Sequence, residues 1–384
     1  MLFSFTVLMI FISVIVALKT ATYLQKHALF TINLPIGEPQ RKTNIDGLRG
    51  FLALGVFYHH FIITYHWKLT GQWVAPAQNF FNNIGQVSVA LFFMITGYLF
   101  IGRMLKNKLT WRAFFLSRLF RIMPLYLFMI TLMTWLILFH SNFLLTDGVI
   151  LLLKEIGLWP IFQQPSINGF EHTMQVTAGV TWTLKYEWIF YLALPIIGLL
   201  LSHKISIWIL LLSVLILAHN PKEIYITEPI QFNTFFFILF LIGGFGTHIE
   251  IKYKNIKPNL IRLLSYGGIL SIILVLFFFT NSYGVPQAFL IGVFFLSILL
   301  GNNLFGLLHH RASIILGEMS YSIYLVHGLV LYVLFSIFFN DFIKIDANSY
   351  LTTMPFVGLL ILLISSLTYK HIEKPMIEVG RKLR

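Results

Sequence analysis

The chain of 384 residues contains no cysteine. Disulfides, thiolate metal sites and cysteine nucleophiles are therefore excluded. Charge is scarce too: Asp, Glu, Lys and Arg together make up 11% of the residues, and only 14 are acidic. There is no Walker loop, no HExxH and no GxSxG, so the common phosphate, zinc-protease and serine-hydrolase signatures are missing. The alternating pattern of a membrane β-barrel is also absent. His172 beside Glu171 has no further candidate ligands nearby in sequence, and His309-His310-Arg311 reads as polar cover, so no metal is expected. No low-complexity linker, internal repeat or soluble domain is visible.

What is present is apolar. Hydrophobic residues make up 58% of the chain, with a mean hydropathy of +0.82. A soluble domain of this length could not hide that much apolar surface. Runs of about 20 apolar residues recur, the length that crosses a bilayer. The fold class is an all-α polytopic membrane protein. Eleven spans are expected, near 2–24, 47–66, 85–104, 122–140, 183–202, 204–219, 231–249, 261–280, 286–303, 319–339 and 350–370.

The net charge of +13 would suggest nucleic acid in a soluble protein. Here its distribution points elsewhere. Alternate connections (25–46, 102–122, 203–204, 250–262, 304–318 and 370–384) hold 20 of the 27 Lys and Arg residues. The opposite connections hold only Lys68, Lys154, Lys222 and Lys344. Positive loops face the cytoplasm, which gives an N-out, C-in topology in a bilayer and no nucleic-acid partner.

The first span could be a signal peptide, but it lacks a basic leading region, and Lys19 and Lys26 lie on its far side. It reads as an uncleaved anchor without a catalytic role. Residues 1–43 are thus an anchor with a cytoplasmic linker, and 44–384 the main transmembrane domain. The connection 141–182 is too long for a simple loop. Its Leu158-Trp-Pro-Ile-Phe-Gln-Gln-Pro stretch is expected at the outer interface or folded back over the bundle.

Intramembrane polar residues mark the chemistry. Arg49 and His60 are eleven residues apart, three helical turns plus about 20°, so they share a face about 16 Å apart along the axis. His59 falls about 100° away. An imidazole in that position is either a proton acceptor or a structural histidine satisfied by a neighbouring helix. Arg118 and Arg121 share a helix face at a cytoplasmic entry. Such a pair grips phosphate, or simply anchors the helix as Arg103, Lys106, Lys108 and Arg112 do. Thr183, Glu187 and Tyr191 recur at i, i+4, i+8, with Lys185 on another face, expected to snorkel outward. Glu187 must face protein or water, as a site residue or in an interhelical ion pair. Counted along straight helices, His60 and Glu187 reach one depth, nearer the outer face.

Five stretches resemble the acyltransferase 3 family, the multi-pass membrane O-acyltransferases, in the family's order. They are Asn44-Ile-Asp-Gly-Leu-Arg-Gly50 through His60; Phe92-Phe-Met-Ile-Thr-Gly-Tyr98; Arg118-Leu-Phe-Arg121 before Pro124-Leu-Tyr126; Trp182-Thr-Leu-Lys-Tyr-Glu187; and Ser320-Tyr-Ser-Ile-Tyr324-Leu-Val-His327. Glu373-Lys-Pro375 matches the family's closing motif and is expected to end the last helix. Thr96 and Thr183 stand where the family usually has serine; the hydroxyl survives, with an added methyl.

The resemblance implies a ten-helix O-acyltransferase core with one extra N-terminal helix. It implies transfer of an acyl group, acetyl foremost, from acyl-CoA as co-substrate to a hydroxyl of an envelope or exported glycan, or of a lipid-linked sugar, with no permanently bound cofactor. On that basis His60, Glu187 and Arg49 form the catalytic centre, with Glu187 orienting His60. Arg118, Arg121, Asp46, Thr183, Tyr191, Tyr324 and His327 contact the substrates, His327 along the acceptor path or in a structural role. Gly97 is expected to allow close helix packing. The compartment that the resemblance implies is the bacterial inner membrane. A transporter using the same residues as a relay would show inverted repeats. A scaffold would gain little from buried charge.

Overall fold

The computed structural model describes residues 3–27, 42–105, 110–146, 148–201, 206–219, 221–227, 230–252, 258–340 and 346–383. The expectations placed on Lys106, Lys108, Lys204, Lys344 and most of the 25–46 linker lie outside these residues. Helices dominate because a backbone in lipid must satisfy its own hydrogen bonds. The long elements of the first half are α1 (Phe3–Lys26), α2 (Thr43–Thr70), α3 (Asn79–Leu105) and α4 (Trp111–His140). Short α5 (Gly148–Leu158) and α6 (Thr173–Val176) follow, then α7 (Trp182–Leu201), α8 (Ser206–His219) and a hairpin of β1 (Glu223–Thr227) and β2 (Ile230–Asn233). The second half holds α9 (Phe235–Lys252), α10 (Pro258–Phe278), α11 (Val285–Leu299), α12 (Arg311–Glu318), α13 (Ser320–Tyr332), α14 (Ala347–Thr352), α15 (Met354–Thr368) and α16 (Lys374–Lys382).

Among the described residues, six helical stretches are long and apolar enough to cross a bilayer: 3–26, 79–105, 111–140, 259–278, 320–338 and 347–382. Three shorter apolar helices, 208–219, 235–250 and 285–299, accompany them. α2 has 28 residues but carries Asp46, Arg49, His59 and His60, and α7 has 20 residues with Glu187 among them.

Small residues set the helix crossings that shape the interior. A Cβ on Gly97 would collide with the Phe240 carbonyl oxygen, and one on Gly243 with that of Met94. α3 and α9 therefore touch backbone to backbone, as expected at Gly97. α2 meets α12 in the same way: a Cβ on Gly317 would run into the Asp46 carbonyl oxygen. That contact presses the Asp46–Arg49 turn into the bundle. α1 packs on α12 and α15.

The long connection after α4 folds back, one of the two placements its composition allowed. Trp159 is fully buried; its carbonyl accepts from the Tyr126 hydroxyl at 2.7 Å, and its indole N–H donates to the Pro165 carbonyl at 3.2 Å. Further along, the backbone at Thr177–Ala178 lies against Gly328 of α13. α5 turns Val149, Ile150 and Leu153 outward.

Two features depart from the sequence reading. The β1–β2 hairpin, with a register shift between Tyr225 and Thr227, interrupts an otherwise helical chain. Lys185 of α7 donates to the Gln231 carbonyl of β2 at 2.6 Å, so it clasps the hairpin. Second, Glu373-Lys-Pro375 does not end the last helix. A π-helical turn, Tyr369–Glu373, leads into α16, with Pro375 in the first turn of that helix. A proline there gives up an N–H that the widened turn has already released.

Candidate active site

A cavity of about 1300 Å³ opens among α2, α3, α4, α7, α9 and α13. Its wall carries Lys42, Arg49, Arg103, Arg118, Arg121 and Arg381, set against Asp46, Glu187, Glu250 and Glu318. The balance is positive, which suits an anionic guest.

Several of the cations are paired with carboxylates. Arg49 lies 3.9 Å from Asp46, one turn earlier on α2. Arg121 lies 3.9 Å from the carboxylate of Glu373, which is fully buried and accepts from the Ser322 hydroxyl at 2.9 Å. Arg118 stands 4.9 Å from the Phe100 ring centre and donates to the Ser117 hydroxyl at 3.1 Å. Its buried Nε has no hydrogen-bond partner among the described residues, and neither does the Ser320 hydroxyl on the same wall. Buried donors without partners are costly. Their place on a cavity wall points to a ligand. At another part of the wall Lys42 pairs with Glu250, which also accepts from the Tyr98 hydroxyl at 2.5 Å. Tyr98, to which the sequence assigned no role, thus lies on the cavity wall, and Thr96 faces the cavity.

Glu187 faces this arginine-lined space. Its carboxylate accepts from the Tyr191 hydroxyl at 2.8 Å, one turn further along α7. Thr183, one turn earlier, meets the Tyr324 hydroxyl at 2.8 Å, and both hydroxyls lie within 3.1 Å of the Val180 carbonyl oxygen. The shared face expected of Thr183, Glu187 and Tyr191 is therefore the cavity face.

His60 sits apart from these residues. Its Nδ1 lies 3.0 Å from the Val56 carbonyl oxygen and 3.1 Å from Nε2 of His327. His327 is one turn beyond Tyr324 on α13, and the two imidazole rings stack 5.2 Å apart. Neither histidine lines the arginine cavity. The expected pairing of His60 with Glu187 is thus not the contact the fold makes: the neighbour of His60 is His327. Straight-helix counting gives both groups a depth but not a rotation about the helix axis, and rotation turns Glu187 toward the arginines. His327 is fully buried with both ring nitrogens engaged, so it has none to offer an acceptor. His59 bonds through Nδ1 to the Phe81 carbonyl at 2.8 Å and joins α2 to α3.

Sequence reasoning missed the roles of Glu373 and Glu250. Each is a lone acid near the end of an apolar helix, and that placement is the signal that each holds a cation. His310, expected only as polar cover, accepts from the Ala312 N–H at 3.3 Å and caps α12.

The acyltransferase 3 family model, described as an acyltransferase domain, matches residues 42–370. No curated protein and no solved structure matches the chain. A family match across most of the sequence, on a bundle of apolar helices that encloses a basic cavity, settles the class: the chain belongs to the acyltransferase 3 family and is a membrane acyltransferase that moves groups other than aminoacyl groups.

Proposed function

We propose that the protein takes an acyl group, acetyl foremost, from cytoplasmic acyl-CoA and passes it to a hydroxyl of an envelope or exported glycan or its lipid-linked precursor. The observation that carries this reading is the unpartnered Arg118 Nε on the wall of a basic cavity that ends one helical turn from the His60–His327 pair. Arg49, Arg118 and Arg121 would grip the donor phosphates at the cytoplasmic side. The pantetheine arm would run past Thr183 and Tyr324 toward His60. His60 would take the acceptor hydroxyl's proton as it attacks the thioester carbonyl, or would carry the acyl group transiently, with coenzyme A thiolate leaving. Eleven spans in a bacterial inner membrane, N-terminus outside and C-terminus inside, put the arginine end of α2 in the cytoplasm, where acyl-CoA is made.

Mass spectrometry of envelope glycans from cells with and without the gene tests this. An acyl mass increment that depends on the gene, and on His60, is expected. Identical glycan profiles alongside undiminished membrane abundance would sink the acceptor class.

A further inference from the structure

We propose that His327 is a positioning residue that holds His60 with Nδ1 protonated and Nε2 bare. The inference rests on the reading of His60 as the base.

The protonation pattern follows from the partners. A carbonyl oxygen only accepts. Nδ1 of His327 lies 3.0 Å from the Ile323 carbonyl oxygen, so it carries a hydrogen. In a neutral imidazole the other nitrogen, Nε2, is then a lone pair. That lone pair faces Nδ1 of His60 at 3.1 Å, and the Val56 carbonyl oxygen faces the same atom at 3.0 Å. Both neighbours of His60 Nδ1 are acceptors, so Nδ1 is the donor and Nε2 is left bare. The ring is half-buried and stacks on Trp73 at 6.3 Å, with 19° between the planes.

The chemistry runs in one direction. When Nε2 takes the proton of an attacking hydroxyl, the ring becomes an imidazolium. Its Nδ1–H then donates more strongly into the His327 lone pair. The proton goes no further, because His327's own hydrogen faces a carbonyl that cannot accept it. A second histidine thus takes the part of the carboxylate found in most such pairs. Both rings rest neutral, whereas a carboxylate would add a full charge inside the membrane. The orientation of His327 is itself fixed, since the residue is fully buried and the adjacent Gly328 abuts the Thr177–Ala178 backbone.

The test uses full-length protein in lipid bilayers, labelled with ¹⁵N-histidine for solid-state NMR. Subtracting the spectrum of His60→Ala isolates the His60 signals. The parent is expected to show a protonated Nδ1 and a bare Nε2. His327→Phe keeps a ring without a lone pair and leaves the Val56 carbonyl as the remaining acceptor at Nδ1; it should raise the share of His60 protonated at Nε2 and lower acyl transfer by about a hundredfold. His327→Gln places a carbonyl oxygen where Nε2 lay and should stay within about tenfold of the parent. A parent His60 protonated at Nε2, or a His327→Phe variant with parental spectrum and activity, would overturn the proposal. Parental activity in His60→Ala would instead remove His60 as base and take the positioning role with it. An inactive His60→Ala with the opposite tautomer removes His327 alone.

Discussion

Glu373 approaches Arg121 to 3.9 Å from a fully buried position in the last helical segment, with Ser322 donating to its second oxygen. It lies outside the cavity lining that Arg121 joins, and its charge partly offsets that of the guanidinium. Glu373→Gln keeps the shape and the Ser322 bond but removes the charge. We expect the KM for acyl-CoA to fall about tenfold, equivalent to about 1.4 kcal/mol, because the bared guanidinium grips the phosphates harder, with kcat falling as coenzyme A leaves more slowly. Steady-state kinetics decides it; an unchanged KM would reduce Glu373 to a packing group.

His60→Ala should abolish transfer while the protein stays in the membrane. His59→Ala should keep the chemistry but lose the α2–α3 joint at Phe81, so its thermal midpoint should fall while its activity per folded molecule holds. Parental activity in His60→Ala refutes the assignment of the base.

Arg118→Ala and Arg121→Ala should weaken acyl-CoA binding by about 2 kcal/mol each, more than Arg103→Ala does. Calorimetry on purified protein reads this directly. Equal losses across the three would indicate a diffuse basic surface instead of a defined phosphate site.

Glu187→Gln and Tyr191→Phe both weaken one hydrogen bond inside the arginine cavity. Their effects on donor binding should therefore be non-additive, with a coupling of about 0.6 kcal/mol, the size usual for bonds between membrane-buried groups. Additive effects in the double variant would separate the two side chains functionally.

Gly317→Ala would drive a methyl into the Asp46 carbonyl. The helices must part, at about 1–3 kcal/mol, and Arg49 moves with α2. Less folded protein and a raised donor KM are expected together. A variant with parental stability and kinetics would show that α12 yields without disturbing Arg49.

Much of the site was legible because helical spacing fixes a face. Arg49, Arg118, Arg121, Thr183, Glu187, Tyr191 and Tyr324 all reach one cavity, and their i, i+3 and i, i+4 relations required a common direction within each helix. Spacing does not say which neighbour that direction meets. The choice of His327 over Glu187 as the partner of His60 depends on how α2 and α13 are rotated in the bundle, and contacts such as Gly317 on Asp46 and Gly328 on Thr177 hold those helices in place. The hairpin escaped notice because Glu223–Asn233 is short and flanked by stronger apolar signals. The Tyr369–Glu373 turn escaped because no composition rule distinguishes a widened turn from an ordinary one.

The arginines with resident carboxylates have a consequence for turnover. Spent coenzyme A carries the same phosphates as its acylated form. Any grip on those phosphates holds donor and product equally, so it strengthens capture and slows departure by the same factor. Asp46 beside Arg49 and Glu373 beside Arg121 blunt that grip without weakening anything that distinguishes the two. A cavity of bare arginines would bind its donor better and then stall on its own exhaust.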